Sequence, residues 1–247
     1  MPRSIISTGC SGAVGQSLTK LFAENGYYVV GLDIRPFDGE CPTAFEFIEL
    51  DLDTLCADPS GLSYLREKLE QLGVLQNLFG LVNNAALQIL KPALELEQKE
   101  LYKSFNINVV AAFLLSKFCF GYLSANAGSI VNISSIHAKL SKKNFLAYST
   151  TKSAMTALTR ACAIEWSNSV RVNAIEPAAV ETDLLRSSFE DPEKALIELR
   201  ECHPSGRIGD KDQLASHVKY LIETSDPQLS GCILTVDGAI SGLLNDV

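Results

Sequence analysis

Short apolar segments alternate with helical segments along the whole chain, and this alternation constrains the fold more than any other feature. Three of the apolar segments, YVVGL, NLFGLV and SIVNIS, are almost uninterrupted. Strands that are buried on both faces have this composition, because helices cover each face of a parallel sheet. We therefore predict an α/β fold, with a doubly wound parallel sheet of about seven strands and helices on both faces.

The predicted elements run from one end of the chain to the other. The strands cover residues 4–7, 28–32, 45–50, 78–82, 129–133, 171–175 and 233–236. The helices cover residues 13–25, 61–72, 99–124, 147–167 and 211–223. No internal repeat or Pro/Gly-rich linker divides the sequence, so we predict a single domain over residues 1–247. The helical stretch 181–204 interrupts the strand order, and a long insertion in an α/β domain is often a lid.

Composition excludes several classes of protein. The formal net charge is −8, whereas nucleic-acid binders and proteins of anionic membrane surfaces need a basic face. The seven cysteines are scattered and include no CxxC pair, so we expect no metal site and no disulfides, and infer a reducing cytoplasm. No uninterrupted apolar stretch reaches the roughly 18 residues of a membrane span, and the first residues carry too short an apolar run for a signal peptide.

A glycine-rich segment lies between the first predicted strand and the first predicted helix. It reads TGCSGAVG, and its glycines are Gly9, Gly12 and Gly15. Glycines let the backbone turn sharply and approach a pyrophosphate closely, and the helix that follows presents free N–H groups to the phosphates. The pattern indicates a dinucleotide site, although a tight strand-to-helix turn would explain the same glycines.

Asp33 ends the second predicted strand, about 20 residues beyond the glycines, where dinucleotide folds place an acid on the adenosine ribose. A carboxylate there accepts hydrogen bonds from the ribose hydroxyls and repels a 2′-phosphate. Ile34 follows it, and the glycine loop contains no Lys or Arg. We therefore predict NAD as the cofactor rather than NADP, with Arg35 as the nearby residue that favours a 2′-phosphate instead.

Tyr148 and Lys152 form a YxxxK pattern at the start of a predicted helix. Residues four apart share a helix face, so the ammonium can lie near the phenol and lower its pKa for acid–base catalysis. Ser135, at the carboxyl end of a predicted parallel strand, can hydrogen-bond a substrate carbonyl in the same crevice. Taken separately, the YxxxK pattern is common by chance and Ser135 is typical of an ordinary turn.

Taken together, these segments resemble the compact branch of the short-chain dehydrogenase/reductase family over almost the whole chain. The matching segments, in the family's order and spacing, are TGCSGAVG, Asp33, Asp51-Leu52, Asn83-Asn84-Ala85-Ala86, NINVVAAF, NISS, YSTTK, RVNAIEPAAVETD, GRIG and LTVDGA. The resemblance implies a Rossmann-type fold and an oxidoreductase that transfers hydride reversibly between NAD and a secondary alcohol or ketone.

The resemblance also implies a role for each matching residue. Tyr148 would be the general acid and base, Lys152 would lower its pKa and bind the nicotinamide ribose, Ser135 would orient the substrate oxygen, and Asn108 would hold a water that links Lys152 to solvent. Further cofactor contacts are expected from Gly9, Ser11, Gly12, Val14, Gly15, Asp33, Ile34, Asp51, Leu52, Asn83, Ala85, Pro177, Val180 and Thr182.

Simpler roles stay open for some of these residues. Asn83 and Asn84 suit helix caps, Thr182 suits a helix N-cap, and Asp51 suits a solvated strand end.

The substrate side of the site is the least specified. We expect a polar small molecule, such as a sugar or hydroxy-acid derivative, with contacts from Gln88, His137 and Asn144. A basic cluster in the loop after Ser135 comprises Lys139, Lys142 and Lys143. These lysines either steer an anionic substrate or form a solvated face.

Two alternative functions stay open. One is a 3-oxoacyl-thioester reductase, which the segments GRIG and LTVDGA suit. The other is a non-catalytic NAD-binding regulator, which the presence of the complete set Asn108, Ser135, Tyr148 and Lys152 disfavours. Family members pair the helices that correspond to residues 99–124 and 147–167, so we expect a homotetramer or homodimer.

Overall fold

Seven parallel strands form one sheet in the computed structural model, which describes residues 2–58, 60–186, 189 and 191–244, with the backbone alone at residues 183 and 184. The strands are β1 (Ser4–Thr8), β2 (Tyr28–Asp33), β3 (Phe45–Glu49), β4 (Leu78–Asn83), β5 (Ser129–Ile133), β6 (Arg171–Pro177) and β7 (Ile233–Val236). Their order in the sheet is β3-β2-β1-β4-β5-β6-β7. The predicted doubly wound sheet is confirmed, and its order reverses between β1 and β4, where such folds bind ligands.

Helices cover both faces of this sheet. They are α1 (Ala13–Glu24), α2 (Leu52–Ala57), α3 (Ser60–Gln71), α4 (Gln98–Phe105), α5 (Ala111–Ala125), α6 (Leu146–Glu165), α7 (Asp183–Arg186), α8 (Pro192–Cys202) and α9 (Lys211–Glu223). The short helix α2 was not predicted, because six residues are too few to show an apolar period. The single helix predicted over 99–124 is divided by a π-helical turn at Asn106–Val110.

The alternation of side chains along each strand divides the core into two layers. Ile5 packs with α1 and α9, whereas the next residue, Ile6, packs on the opposite face with α3 and α5. Both side chains are buried. Since successive strand residues point to opposite faces, a strand covered by helices on both sides must be apolar throughout.

By length and composition alone, the continuous stretch Gln98–Ala125 is apolar enough to cross a membrane. In this fold its second half packs against the sheet, with Leu115, Cys119 and Leu123 buried in the core. The outward faces of α5 and α6 expose Phe113 and Ile164. Pairing of these two helices between subunits stays a prediction.

The predicted lid region contains α7 and α8, with residues 187, 188 and 190 outside the described residues. Its two ends meet at a bridge between Val180 and Gly209, where Gly209 N–H donates to the Ala179 carbonyl at 2.7 Å. Closure of this segment over the crevice stays a prediction.

The glycine loop is packed so closely that two of its glycines cannot carry a side chain. Gly9 has a φ of +68°, in the left-handed region. A Cβ on Gly15 would lie 2.0 Å from the Gly9 carbonyl oxygen, whereas a Cβ on Gly12 would lie 3.5 Å from the same oxygen. Gly15 therefore lets the first turn of α1 pack directly against the loop that follows β1.

We expect Gly15→Ala to lower the free energy of unfolding by about 1–3 kcal/mol, because the added methyl group forces the loop and α1 apart. Gly12→Ala is the matched control in the same loop; its methyl group meets no close contact, so only the loss of a favoured N-cap residue, about 0.5 kcal/mol, is expected. Urea unfolding followed by circular dichroism measures both. Equal losses for the two variants would show that this close contact does not constrain the loop.

Candidate active site

The candidate site lies at the carboxyl edge of the sheet, where the segments after β1, β2, β4, β5 and β6 meet. Thr8, the last residue of β1, fastens two of them together. Its Oγ1 accepts hydrogen bonds from the backbone N–H groups of Asn84 and Ala85, each at 3.0 Å. The Asn84 side chain in turn donates to the carbonyls of Thr8 and Gly9, at 3.0 and 3.1 Å. The segment after β4 thereby holds the glycine loop in place.

The two asparagines after β4 have different environments, and neither caps a helix, since the next helix begins at Gln98. Asn83 is buried, and its amide donates to Ser116 and Asn132 inside the protein. A contact between Asn83 and a cofactor would therefore come from its backbone. Sequence reasoning did not give Thr8 and Asn84 a site role; the Thr before the first glycine and the doubled Asn were the available signals.

Asp33 ends β2 beside the glycine loop, as predicted. The residue is 9% exposed. Its Oδ2 accepts from Ser11 N–H and its Oδ1 from Arg35 N–H, each at 3.0 Å. The Arg35 side chain is 67% exposed, with its Nε 3.8 Å from Asp33 Oδ1. Two backbone N–H groups thus orient the Asp33 carboxylate, and the Arg35 guanidinium lies close to it.

The residues around this carboxylate fit a dinucleotide. Gly12 is the N-cap of α1 and offers no side-chain cap, so the first N–H groups of the helix are available to phosphate oxygens. Val14 lies half-buried in the first turn of the helix. Ile34 is 56% exposed beside Asp33 and offers an apolar surface to an adenine ring. The residues present therefore match the group that the sequence predicted.

The Asp51 carboxylate has hydrogen-bond partners that the sequence did not predict. It is the N-cap of α2, and its carboxylate accepts from Asp53 N–H at 2.8 Å and from Thr54 Oγ1 at 3.1 Å. Leu52 is the first residue of that helix and packs against the core. An adenine contact from Asp51 would therefore use its backbone, because its side chain stabilises the helix start.

Tyr148, Lys152 and Ser135 come together at the ends of α6 and β5. Lys152 Nζ lies 5.6 Å from the centroid of the Tyr148 ring and donates to the Ile133 carbonyl at 2.7 Å. Lys152 is only 2% exposed. The Ser135 hydroxyl is hydrogen-bonded to Tyr148 and also accepts from His137 N–H at 3.2 Å. The predicted constellation is thus assembled in one place.

Burial dominates the electrostatics of this constellation. It raises the pKa of Tyr148 to about 12, and the hydrogen bond from Ser135 opposes that rise. Burial also lowers the pKa of Lys152 to about 8. In the chain without a cofactor, burial therefore outweighs any lowering of the Tyr148 pKa by the nearby ammonium. A positive charge on an oxidised nicotinamide would act in the required direction.

Asn108 lies in the π-helical turn and is fully buried. Its amide forms hydrogen bonds with the Leu87 backbone in both directions, at 2.7 and 2.9 Å, and donates to Thr151 Oγ1 at 2.9 Å. Thr151 Oγ1 donates to the Tyr148 carbonyl at 2.9 Å. Since the side-chain amide is already hydrogen-bonded to protein groups, a water would be held by the backbone carbonyl of Asn108. The amide itself ties the loop after β4 to α6.

The three residues predicted at the substrate differ in their surroundings. The ring of His137 lies 6.1 Å from that of Tyr148, and its Nδ1 lies 3.2 Å from the Leu140 carbonyl. Burial lowers the pKa of His137, so the neutral ring is favoured. Asn144 has a φ of 70°, a conformation that Asn tolerates better than most residues. Gln88 is half-buried in the loop after β4.

The residues predicted at the nicotinamide carboxamide lie at and beyond the end of β6. Pro177 is the last residue of that strand, and Val180 pairs with Gly209. Thr182 Oγ1 accepts from Leu185 N–H at 3.2 Å and so also serves as a helix N-cap.

The basic cluster after Ser135 is not a uniform charged face. Lys139 Nζ lies 2.8 Å from a carboxylate oxygen of the buried Glu176. Lys142 Nζ lies 4.4 Å from the centroid of the Phe145 ring. Among the residues that the structure describes, Lys143 has no ion-pair partner. Lys139 therefore has its charge paired, and it is a weak candidate for steering a substrate.

Comparisons with known proteins agree with this geometry. The family model "short chain dehydrogenase" matches residues 3–193. Protein FixR of Bradyrhizobium diazoefficiens is 30% identical over 249 residues, covering 96% of this chain and 86% of that protein. L-xylulose reductase of Mesocricetus auratus is 29% identical, covering 96% and 95%.

A solved structure shows the same fold. The ligand-free aldohexose dehydrogenase of Thermoplasma acidophilum superposes with a TM-score of 0.90 at 28% identity, covering 99% of this chain and 96% of that one. With the sheet order, the glycine loop and the YxxxK constellation already assembled, the family match means that this chain belongs to the short-chain dehydrogenase family of oxidoreductases.

Proposed function

We propose that the protein catalyses reversible hydride transfer between NAD and a secondary alcohol or ketone. The observation that carries the proposal is the meeting of Tyr148, Lys152 and Ser135 at the sheet edge that also bears the glycine loop and Asp33. Hydride chemistry needs a proton donor and acceptor beside a bound nicotinamide, and this edge offers both functions in one crevice.

Each residue of the constellation has a task in this reaction. The Ser135 hydroxyl hydrogen-bonds the substrate oxygen and holds it against the Tyr148 phenol. Tyr148 gives a proton to that oxygen when a ketone is reduced and removes it when an alcohol is oxidised. Lys152 supports the phenolate by its charge. When bound, the nicotinamide supplies or accepts the hydride.

The proposal of NAD rests on Asp33. Its carboxylate is held by two backbone N–H groups and faces the glycine loop, where it would accept hydrogen bonds from ribose hydroxyls. Arg35 lies close enough to compensate part of that charge. A 2′-phosphate would nevertheless meet a buried, fixed carboxylate, and like charges at short distance are unfavourable.

A polar, polyhydroxylated substrate suits this site best. A neutral His137 that donates from Nδ1 to the Leu140 carbonyl keeps Nε2 as an acceptor for a substrate hydroxyl. L-xylulose reductase and aldohexose dehydrogenase, two similar proteins, bear names of sugar-acting enzymes. We propose a sugar or hydroxy-acid derivative, to be identified by screening alcohols, aldoses and ketoses with NAD.

We expect Tyr148→Phe to lower kcat by about 10²–10⁴-fold, because the substrate oxygen loses its proton donor. Affinity for NADH, measured by fluorescence titration, should stay close to that of the natural chain. The matched control is Tyr102→Phe, at an exposed tyrosine of α4. Retention of turnover in Tyr148→Phe would contradict the acid–base role, and NAD binding without turnover in the natural chain would favour the regulator.

We expect the natural chain to use NADH with at least about tenfold higher kcat/KM than NADPH, since about 1.4 kcal/mol of repulsion produces that ratio. Asp33→Asn keeps the shape and removes the charge, so it should reduce the ratio. Asp38→Asn, at an exposed residue near the same loop, is the control. Equal use of both cofactors by the natural chain would show that Arg35 outweighs Asp33.

The depressed pKa of Lys152 predicts a pH-dependent stability. Between about pH 8, its pKa in the folded chain, and the unfolded value of 10.5, the unfolded chain binds more protons, so the free energy of unfolding rises with pH. Relative to Lys152→Met, this rise should amount to about 2 kcal/mol between pH 8 and 10. Urea unfolding of both proteins measures it, and a pH-independent difference would mean that the buried amine titrates normally.

A further inference from the structure

Glu176 carries a buried carboxylate that the proposed mechanism does not use. It lies next to the end of β6, directly before Pro177, and none of its side chain is exposed. Its Oε1 accepts a hydrogen bond from Thr156 Oγ1 at 2.8 Å. Its Oε2 has no hydrogen-bond partner among the described residues, and the charge near that oxygen is the Lys139 ammonium, at 2.8 Å.

Lys139 reaches this carboxylate from the loop that carries the substrate-facing residues. It follows a 3-10 turn at Ile136–Ala138, four residues after Ser135. About half of its side chain is exposed. The same turn is tied to α6 where Ser153 Oγ donates to the Ala138 carbonyl at 2.7 Å. The loop over residues 136–144 is therefore fastened at two points close to Ser135 and His137.

A chain of polar contacts connects Glu176 to the catalytic constellation. Thr156 Oγ1, which donates to Glu176, lies 2.9 Å from Ser134 Oγ. Ser134 Oγ donates to the Lys152 carbonyl at 3.0 Å, and Ser134 N–H donates to the Ile175 carbonyl at 2.8 Å. Glu176 thus shares a buried network with the backbone of Lys152 and with the residue next to Ser135.

Electrostatics make this ion pair resistant to opening. A buried carboxylate that loses its cation is strongly destabilised, so Lys139 cannot leave without a large cost. We propose that Glu176 and Lys139 are positioning residues, whose ion pair fixes loop 136–144 against the end of β6 and so sets the substrate oxygen relative to the Tyr148 phenol. The proposal deepens the proposed function and rests on it.

The test uses Lys139→Met, Glu176→Gln and the double variant, with Lys139→Arg as the conservative replacement and Lys143→Met as the loop control. We expect each neutral variant, the double included, to lower kcat at least tenfold with NADH affinity within twofold of the natural chain. Lys139→Arg and Lys143→Met should retain kcat within threefold. The urea midpoint should fall in Lys139→Met and recover in the double variant, which no longer buries an unpaired charge.

Two outcomes would contradict a positioning role for this ion pair. Recovery of kcat together with stability in the double variant would reduce the pair to a purely structural role and overturn the proposal. A KM that rises at low salt in Lys139→Met and Lys143→Met, with kcat unchanged, would replace positioning by steering of an anionic substrate.

A measurement without turnover separates this proposal from the proposed function. Amide hydrogen exchange over residues 136–144 should accelerate at least tenfold in Lys139→Met and stay unchanged in Lys143→Met. Unaltered exchange in Lys139→Met would overturn the proposal even if the enzyme is active. Accelerated exchange in a chain that turns over no alcohol or ketone would support the fastened loop and refute the proposed hydride-transfer function.

Discussion

The hydrogen bond from Lys152 Nζ to the Ile133 carbonyl is the contact on which the rest of the site depends. It is 2.7 Å long and buried, and it ties the second turn of α6 to the end of β5. Tyr148 lies one helical turn before Lys152, and Ser135 lies two residues after Ile133. Because both segments are joined at this point, the Tyr148 phenol and the Ser135 hydroxyl come together although they are 13 residues apart in the sequence.

This arrangement buries two charged side chains close together, and each of them has a specific partner. The Lys152 ammonium has a backbone carbonyl as its partner, and its pKa falls to about 8. The Glu176 carboxylate has Thr156 and Lys139. Buried charges with specific partners are common at functional sites, since they hold groups in fixed geometry where apolar packing would allow several.

Local signals predicted the parts of the fold and site that depend on backbone requirements. The seven strands were placed to within one or two residues of their ends, since a strand covered on both faces must be apolar throughout. The positions of Gly9, Asp33 and Tyr148 followed from spacing taken together with the resemblance to a known family. Side-chain partners did not: Asn83 and Asn84 look alike in the sequence, yet one faces the interior and the other holds the glycine loop.

The sequence by itself determined the α/β architecture, the glycine loop and the helical spacing of Tyr148 and Lys152, because periodicity and glycine geometry are properties of neighbouring residues. Only the tertiary structure decided that burial raises the pKa of the phenol, that Asp51 caps a helix, and that Lys139 is paired with Glu176. Burial and ion pairing depend on what distant segments bring to a position. The residues adjacent in the sequence do not determine burial or ion pairing.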